Sequence, residues 1–348
     1  MSGRVYLDWN ATTPLLDASR DAMIAAMDAV GNPSSVHSEG RVSKGIIEKA
    51  RAQLSDALGA SNADIVFTSS ATEAAALAMA GRDLHCADIE HDAVSSWATA
   101  DLLVDQSGIV TVQDPQRSAL QLANSETGVV QDLPHGLAMT DLTQAFGKLP
   151  LAFSWLNADM AIVSAHKLGG PKGVGALILK QGLDVESRIK GGGQEMGRRS
   201  GTENLIGIAG FGAAAQAAMV RLADGAWDRV ATLRDLLEAS IANSAPGTIF
   251  VGAGGARLPN TSCFATPGWK GETQVMQMDL AGFAVSAGSA CSSGKVKASR
   301  VLRAMGYDDD FSSSALRVSL GPDTTEHDVM AFADAWARSH SKFRAKAA

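Results

Sequence analysis

Between Ala63 and Lys180 the chain alternates short apolar runs with helical or looping stretches, and no other feature restricts its fold as strongly. The runs are ADIVFTS (63–69), LHCADIE (84–90), ALQLA (119–123), GLAMTD (136–141), DMAIVSA (159–165) and VGALILK (174–180). SATEAAALAMA (70–80), between the first two, reads as a helix. Strands alternating with helices predict an α/β fold with a mainly parallel sheet flanked by helices.

Residues 40–58 repeat apolar groups at Val42, Ile46, Ala50, Leu54 and Leu58, which predicts one helical stripe ending at Gly59. Beyond about residue 220 the texture changes. A helix, AWDRVATLRDLLEASIA, leads into strand-like TIFVGA, SCFATP, FAVSAG and ALRVSLG, with helices at ETQVMQMDL and KASRVLRAM between them. TTEHD opens a terminal helix, its Thr325 and Asp328 spaced as in a capping box. The expected organisation is a large domain over 14–220 and a small domain of 1–13 with 221–348, and 348 residues are enough for both cores.

A net charge of −7 argues against nucleic acid as a direct partner. MSGRVYLDWN lacks a charged-then-apolar targeting pattern. GIAGFGAAAQAAMV (207–220) is too short for a bilayer and contains Gln216, so it reads as a tightly packed helix and no membrane association is expected. Three cysteines make no disulfide framework, which predicts a reducing, cytoplasmic setting. Cys86 and Cys263 lie in strand-like runs and are expected in the core. Cys291 differs: SAGSACSSGKVK (286–297) surrounds it with small residues, as a mobile loop would.

The chemistry-bearing residues gather where strands end. DMAIVSA runs into His166 and Lys167, and in α/β sheets ligands bind beyond the carboxyl ends of strands. Lys167 is thus either a reactive amine or an ordinary surface lysine; no GK[ST] follows at P-loop spacing. TDLTQ places Asp141 and Gln144 at another strand end. TSSATE (68–73) passes from strand to helix through small hydroxyl residues, as a phosphate cradle or a plain N-cap does. His91 also follows a strand. His85, six residues away, would be roughly 20 Å distant along extended chain, so no metal site is expected, and His91 is read as stacking on a ligand or moving protons. Arg317, within ALRVSLG, either grips a carboxylate from a cleft or faces water on an edge strand. An amine, a carboxylate, a phosphate cradle and a carboxylate clamp together describe pyridoxal phosphate chemistry.

With these parts in this order, the sequence resembles the cysteine desulfurases of the nitrogen-fixation and iron–sulfur-assembly type, in the class V aminotransferase group. The resemblance runs nearly end to end, through YLDWNATTP, GNPSSVH, IVFTSSATE, IEHDAV, NSETGVVQ, DLTQAFGKLP, SAHKLGGPKGVGAL, GGGQEMGRRSGTEN, SAGSACSSG, VLRAMG and ALRVSLG. It implies the fold type I of pyridoxal-phosphate-dependent transferases: a large lobe with a mainly parallel seven-stranded sheet and a smaller α+β C-terminal lobe. It also implies pyridoxal 5′-phosphate held by Lys167, with Asp141 at the pyridine nitrogen, His91 on the ring and Gln144 at the phenolic oxygen. Ala71, Thr72, Ser164 and His166 would surround the phosphate, completed by Thr202 from the partner subunit of a homodimer. Arg317, with Asn32 nearby, would bind the carboxylate of L-cysteine. Lys167 would then serve as general base and Cys291 as the nucleophile that takes the sulfur as a persulfide, for delivery to an iron–sulfur scaffold or another protein sulfur acceptor.

The same fold also hosts aminotransferases and selenocysteine lyases that need no Cys291, and a catalytically reduced chain would serve as an assembly partner. The chain departs from the family pattern in places. Ser125 stands where a second asparagine is usual beside the cofactor, Ser70 replaces a glycine and Leu142 an alanine. The stretch 131–141 is too short for the family's helix between two parallel strands, and a compact loop is expected instead.

Overall fold

The structure, a computed structural model, describes residues 3–288 and 298–347. In chain order the first elements are β1 (Val5–Tyr6), α1 (Asp17–Met27), α2 (Ser38–Ala57), β2 (Ala63–Thr68), α3 (Ala71–Met79) and β3 (Leu84–Ala87). There follow α4 (Asp92–Ser95), β4 (Ala98–Leu102), β5 (Ala119–Gln121), β6 (Met139–Asp141), α5 (Phe153–Leu156), β7 (Met160–Ser164), β8 (Gly175–Lys180) and α6 (Leu205–Ala223). Then come α7 (Ala226–Ser244), β9 (Ile249–Phe250), β10 (Thr261–Ala265), α8 (Gly271–Leu280), β11 (Phe283–Ala284) and β12 (Ser286–Ala287). The chain closes with α9 (Arg300–Ala304), α10 (Asp309–Ser313), β13 (Ala315–Ser319) and α11 (Glu326–Ala347).

Five strands pair in the order β2-β8-β7-β6-β5. The β3–β4 pair continues the row through a parallel bridge between His85 and Ser118, next to β5. Along this seven-strand row only β8 runs against the others, because it is antiparallel to both β2 and β7 while the remaining pairings are parallel. The strand-like runs read from the sequence all appear; β4, an edge strand with largely exposed side chains, was not among them because ATADL alternates only two alanines and one leucine with polar residues and makes no apolar run.

Apolar cores form on both faces. One joins Ile47, Leu54, Phe67, Phe146, Val163, Ile178 and Phe211; the other joins Val66, Leu77, Met139, Ile162 and Leu177. The α2 stripe differs from the expected one: Gly40, Ser43, Ile47, Ala50, Leu54 and Ala57 are buried, whereas Val42 is 59% exposed. Steps of four residues turn the helix 400°, so a strict four-residue repeat drifts around the cylinder, and the buried face alternates steps of three and four. Helix α6 is long and apolar enough to cross a membrane by length and composition, but it packs against α1 and α2. Gly212 makes that approach possible: an added Cβ would lie 2.6 Å from Ala50 Cα.

Between β5 and β6, residues 122–138 contain no helix. The chain instead turns at Asn124, whose Oδ1 accepts from the N–H groups of Glu126 and Thr127, both at 2.9 Å. Gln131 then binds the backbone of Val110 and Gly108, so a loop from earlier in the chain covers this part of the sheet. A second, antiparallel sheet, β12-β13-β10-β9, packs with α7, α8 and α11 around Trp269, Phe332 and Trp336. The N-terminal segment joins these C-terminal elements, since β1 pairs with β11 and Asp8 bridges to Ser319. The predicted capping box is present, with Thr325 Oγ1 and Asp328 exchanging hydrogen bonds at the start of α11. FAVSAG forms two short strands, β11 and β12, rather than one.

Candidate active site

Sheet register brings the strand ends together. Ser164 on β7 lies opposite Gly175 on β8, and Gly175 lies opposite Thr68 on β2. One row deeper, Gln121, Asp141 and Ile162 are neighbours across β5, β6 and β7. His166 and Lys167 form a single turn just past β7. His91 begins α4, its Nδ1 accepting from Ala93 N–H at 3.1 Å, and the preceding residues are tied to β5 by Gln121 N–H donating to Glu90 Oε1 and Gln121 Nε2 to the Ile89 carbonyl. Lys167, Asp141, His91, Ser164 and the start of α3 thus lie at one edge of the sheet.

Serine 70 caps α3 by accepting from Glu73 N–H, and Glu73 accepts in return from Ser69 N–H. The N-cap reading and the phosphate reading of TSSATE are therefore compatible: the cap uses Glu73 N–H, while the N–H groups of Ala71 and Thr72 have no carbonyl four residues back within the helix. Gly175 lets this helix start against β8, because an added Cβ would sit 2.5 Å from Ser70 C and 2.7 Å from Ala71 N.

Asn10, which sequence reasoning did not single out, is the hub of the site. Its carbonyl accepts from Lys167 Nζ at 2.6 Å and Gln144 Nε2 at 3.0 Å. Its Oδ1 accepts from Lys148 Nζ at 3.1 Å and Asn260 Nδ2 at 3.0 Å, and its Nδ2 donates to the Ser125 carbonyl and to Thr261 Oγ1. The Ser125 carbonyl also accepts from Arg317 Nη1 at 3.1 Å, so Arg317, far away in sequence on β13, joins the same network. Ser125 takes part through its backbone. Asp8 receives Arg317 Nη2 at 2.7 Å, while Arg317 Nε is buried without a partner among the described residues. Asp8, Asn10 and Lys148 lie inside YLDWNATTP and DLTQAFGKLP, but no spacing or periodicity marks them there, and only the fold brings them together.

The electrostatics are those of a partly dry site. Burial, reinforced by Lys167 and Lys172, lowers His166 to about 4, so its ring, 3.1 Å from Thr12 Oγ1, is neutral near pH 7. Burial also holds Lys148 well below the ordinary lysine value, with Lys167 and Arg317 adding like-charge repulsion. Glu90 is raised by burial and by Asp141. Asp141 itself accepts from Thr143 N–H at 2.8 Å.

The remaining expected residues lie farther out. Asn32 is exposed in the turn before α2, its Oδ1 accepting from Ser34 N–H, and no hydrogen bond among the described residues ties it to Arg317. Thr202 is exposed and shares a cavity of ≈ 120 Å³ with Thr68 and Ser69. Cys291 lies outside the described residues. Cys86 and Cys263 are both buried, and burial pushes the Cys86 thiol up to about 12. A cleft of ≈ 940 Å³ between residues 33–36, α2 and residues 193–196 is lined by none of these groups.

An amine, a carboxylate, an imidazole, a helix N-terminus and a buried guanidinium with an N–H unpartnered among the described residues are what a phosphorylated pyridine aldehyde and an amino-acid carboxylate require. The residues present fit pyridoxal phosphate, and no cluster of three or more metal-ligating side chains occurs among the described residues.

Comparison with known proteins agrees with the geometry. The family profile described as aminotransferase class-V matches residues 5–103 and 111–332. A cysteine desulfurase of Cereibacter sphaeroides is 38% identical, with 94% of this chain and 93% of that protein covered. The cysteine desulfurase IscS of Dictyoglomus turgidum is 33% identical over 99% of this chain and 96% of its own length. The solved NifS-like protein from Rickettsia africae superposes with a TM-score of 0.88 at 31% identity, covering 97% of this chain and 99% of that one.

Proposed function

Because the chain belongs to the class-V aminotransferase family and, within it, to the cysteine desulfurases, we propose that it uses pyridoxal 5′-phosphate to convert L-cysteine to L-alanine, passing the sulfur to Cys291. The observation that carries this reading is the placement of Lys167 just past β7, one strand from Asp141 at the end of β6. The cofactor, when bound, supplies an electron sink for the pair left at the substrate Cα.

The chain's own residues do the rest. Lys167 would hold the cofactor, and its Nζ would take the substrate Cα proton; the carbonyls of Asn10 and Ala11 accept from that amine and keep it aimed. Asp141 would keep the ring nitrogen protonated, His91 would cover the ring, and Gln144 would donate to the phenolic oxygen. Ala71, Thr72, Ser164 and His166 would receive the phosphate, the last as a neutral ring that adds no charge. Thr202 completes this cradle from a second copy in a homodimer. Arg317 meets the substrate carboxylate with the N–H that Asp8 and Ser125 leave unused, and Asn32 lies on the approach. The Cys291 thiolate attacks the substrate sulfur; the Cβ–S bond breaks, its electron pair remains on carbon, and carbon takes a proton to become the methyl of alanine. Cys291 is left as a persulfide for a protein acceptor such as an iron–sulfur scaffold, in the cytoplasm. In this reading residues 14–220 form the cofactor-bearing lobe, and 1–13 with 221–348 the lobe that presents Arg317 and the cysteine segment.

The test is direct. Purified protein loaded with pyridoxal phosphate, given L-cysteine and reductant, is expected to release alanine and sulfide in equal amounts, and Cys291→Ala to lose both. A Cys291→Ala variant as fast as wild type would show a class-V lyase that needs no persulfide. Wild type that carries the cofactor yet releases no alanine, with or without candidate acceptors, would remove the desulfurase reading.

A further inference from the structure

Lys148 is a buried amine without a carboxylate partner among the described residues. Only 2% of it is exposed, and no ion pair reaches it among the described residues. Its two hydrogen bonds go to side-chain amide oxygens: Gln144 Oε1 at 2.8 Å and Asn10 Oδ1 at 3.1 Å. Burying an amine this way is costly, and the charged groups that bear on it, Lys167 and Arg317, repel a second charge rather than attract it. An apolar side chain at this position would avoid that cost, so what distinguishes the lysine is its pair of hydrogen bonds to the two amides.

What they do follows from hydrogen-bond chemistry. An amide side chain can present either its oxygen or its nitrogen, and the two ends are nearly the same size. Lys148 Nζ donates to Gln144 Oε1 and Asn10 Oδ1 at once, and as an ammonium it offers no acceptor to an amide N–H, so it selects the oxygen end of each amide. The Gln144 nitrogen then faces the other way, where one N–H meets the Asn10 carbonyl and the second remains for a ligand. Asn10 is oriented likewise, its oxygen toward Lys148 and Asn260 and its nitrogen toward Ser125 and Thr261, which leaves its carbonyl in place under Lys167.

We propose that Lys148 is a positioning residue that locks the orientation of the Gln144 amide, so that Gln144 presents an N–H donor, never its oxygen, to the phenolic oxygen of the cofactor. This rests on the function proposed above, in that it takes pyridoxal phosphate to be the ligand held by Lys167. It goes beyond that reading by assigning a task to a side chain that touches neither cofactor nor substrate.

The experiment reads the cofactor rather than turnover. Full-length protein loaded with pyridoxal phosphate is titrated with pH, following the visible absorption of the Lys167-bound cofactor. A donor at the phenolic oxygen favours its charged form, so losing that donor raises the midpoint by about one pH unit. Lys148→Met is expected to show this rise, Lys148→Gln to restore most of the wild-type midpoint, and Gln144→Leu to show the same rise alone. Combining Lys148→Met with Gln144→Leu adds nothing further if the lysine acts through the glutamine. The inference is overturned by an unmoved midpoint in folded, cofactor-bound Lys148→Met, or by additive shifts in the double variant, which would mean the lysine acts on the ring through its own charge. It is also overturned by an unmoved midpoint in Gln144→Leu, which keeps Lys148 and so decides the matter even where Lys148→Met does not fold. Wild type with no such band would instead sink the cofactor reading and this inference with it, whereas a normal band without alanine production leaves the Lys148 result standing.

Discussion

Arg317 and Asp8, 309 residues apart, form an ion pair at 2.7 Å, with the second oxygen of Asp8 accepting from Ser286 Oγ at 2.8 Å. Ser286 is also the residue paired with Arg317 across β12 and β13. The guanidinium assigned to the substrate carboxylate is therefore already aimed by a carboxylate of its own chain. The segment leading to the proposed nucleophile is anchored on the same pair. The buried arginine thus has a permanent anion in Asp8, beside the visiting one proposed for it.

Asp8→Asn leaves the guanidinium buried without its charge partner. The expected cost is about 2–4 kcal/mol of folding stability, measured by urea denaturation. Added L-alanine, whose carboxylate brings the buried guanidinium a negative charge in place of the one removed, is expected to recover more stability in the variant than in wild type. Equal recovery would mean that Arg317 does not receive the ligand's carboxylate.

His166 makes the protein acid-sensitive. Its folded value of about 4 lies below the unfolded value of 6.5, so its contribution is present above 6.5 and is lost as pH falls toward 4. Because the ring is partly exposed, the loss is about 1–2 kcal/mol. His166→Asn is expected to flatten this part of the stability profile between pH 6.5 and 4, checked by denaturation midpoints at half-unit steps.

Glu126 acts in the opposite sense. Burial raises its carboxyl to about 7, with the Ser299 hydroxyl and the charges of Arg317 and Arg300 only partly opposing this. A raised acid contributes stability fully below 4.5 and loses it as pH rises through 7. Glu126→Gln is thus expected to gain on wild type as pH rises from 5 to 8, by up to about 3 kcal/mol. A difference that stays flat over that range would show that the carboxyl does not titrate there.

Gly175→Ala tests the start of α3. The new methyl would meet backbone atoms of Ser70 and Ala71 rather than a movable side chain, so the helix must shift away from β8. Weaker pyridoxal phosphate binding, about tenfold or more by equilibrium dialysis, is expected beside a lower melting temperature. Ser70→Ala, which removes the cap but not the fit, is expected to cost about 1 kcal/mol of stability.

Strand runs such as DMAIVSA and VGALILK were legible because the buried middle of a sheet admits little except apolar residues. The absence of a helix between β5 and β6 was legible too, but only by setting 131–141 against the longer stretch of the family it resembles. The face of α2 was not, since periodicity tells which residues share a side but the packing of α6 decides where that side ends. Lys167, Asp141 and His91 could be singled out because a reactive side chain directly after a strand has a place in the fold before any contact is known.

The sequence by itself determined the order of strands and helices, the strand-end positions of the reactive groups and the family they belong to, because these depend on local pattern and motif. Only the tertiary structure decided that Asn10 carries Lys167, Gln144 and Lys148 on one side chain and one carbonyl, and that Asp8 holds Arg317. Those bonds join residues more than a hundred positions apart. A hydrogen bond is set by distance and direction between two atoms, and neither is written in the spacing of residues along the chain.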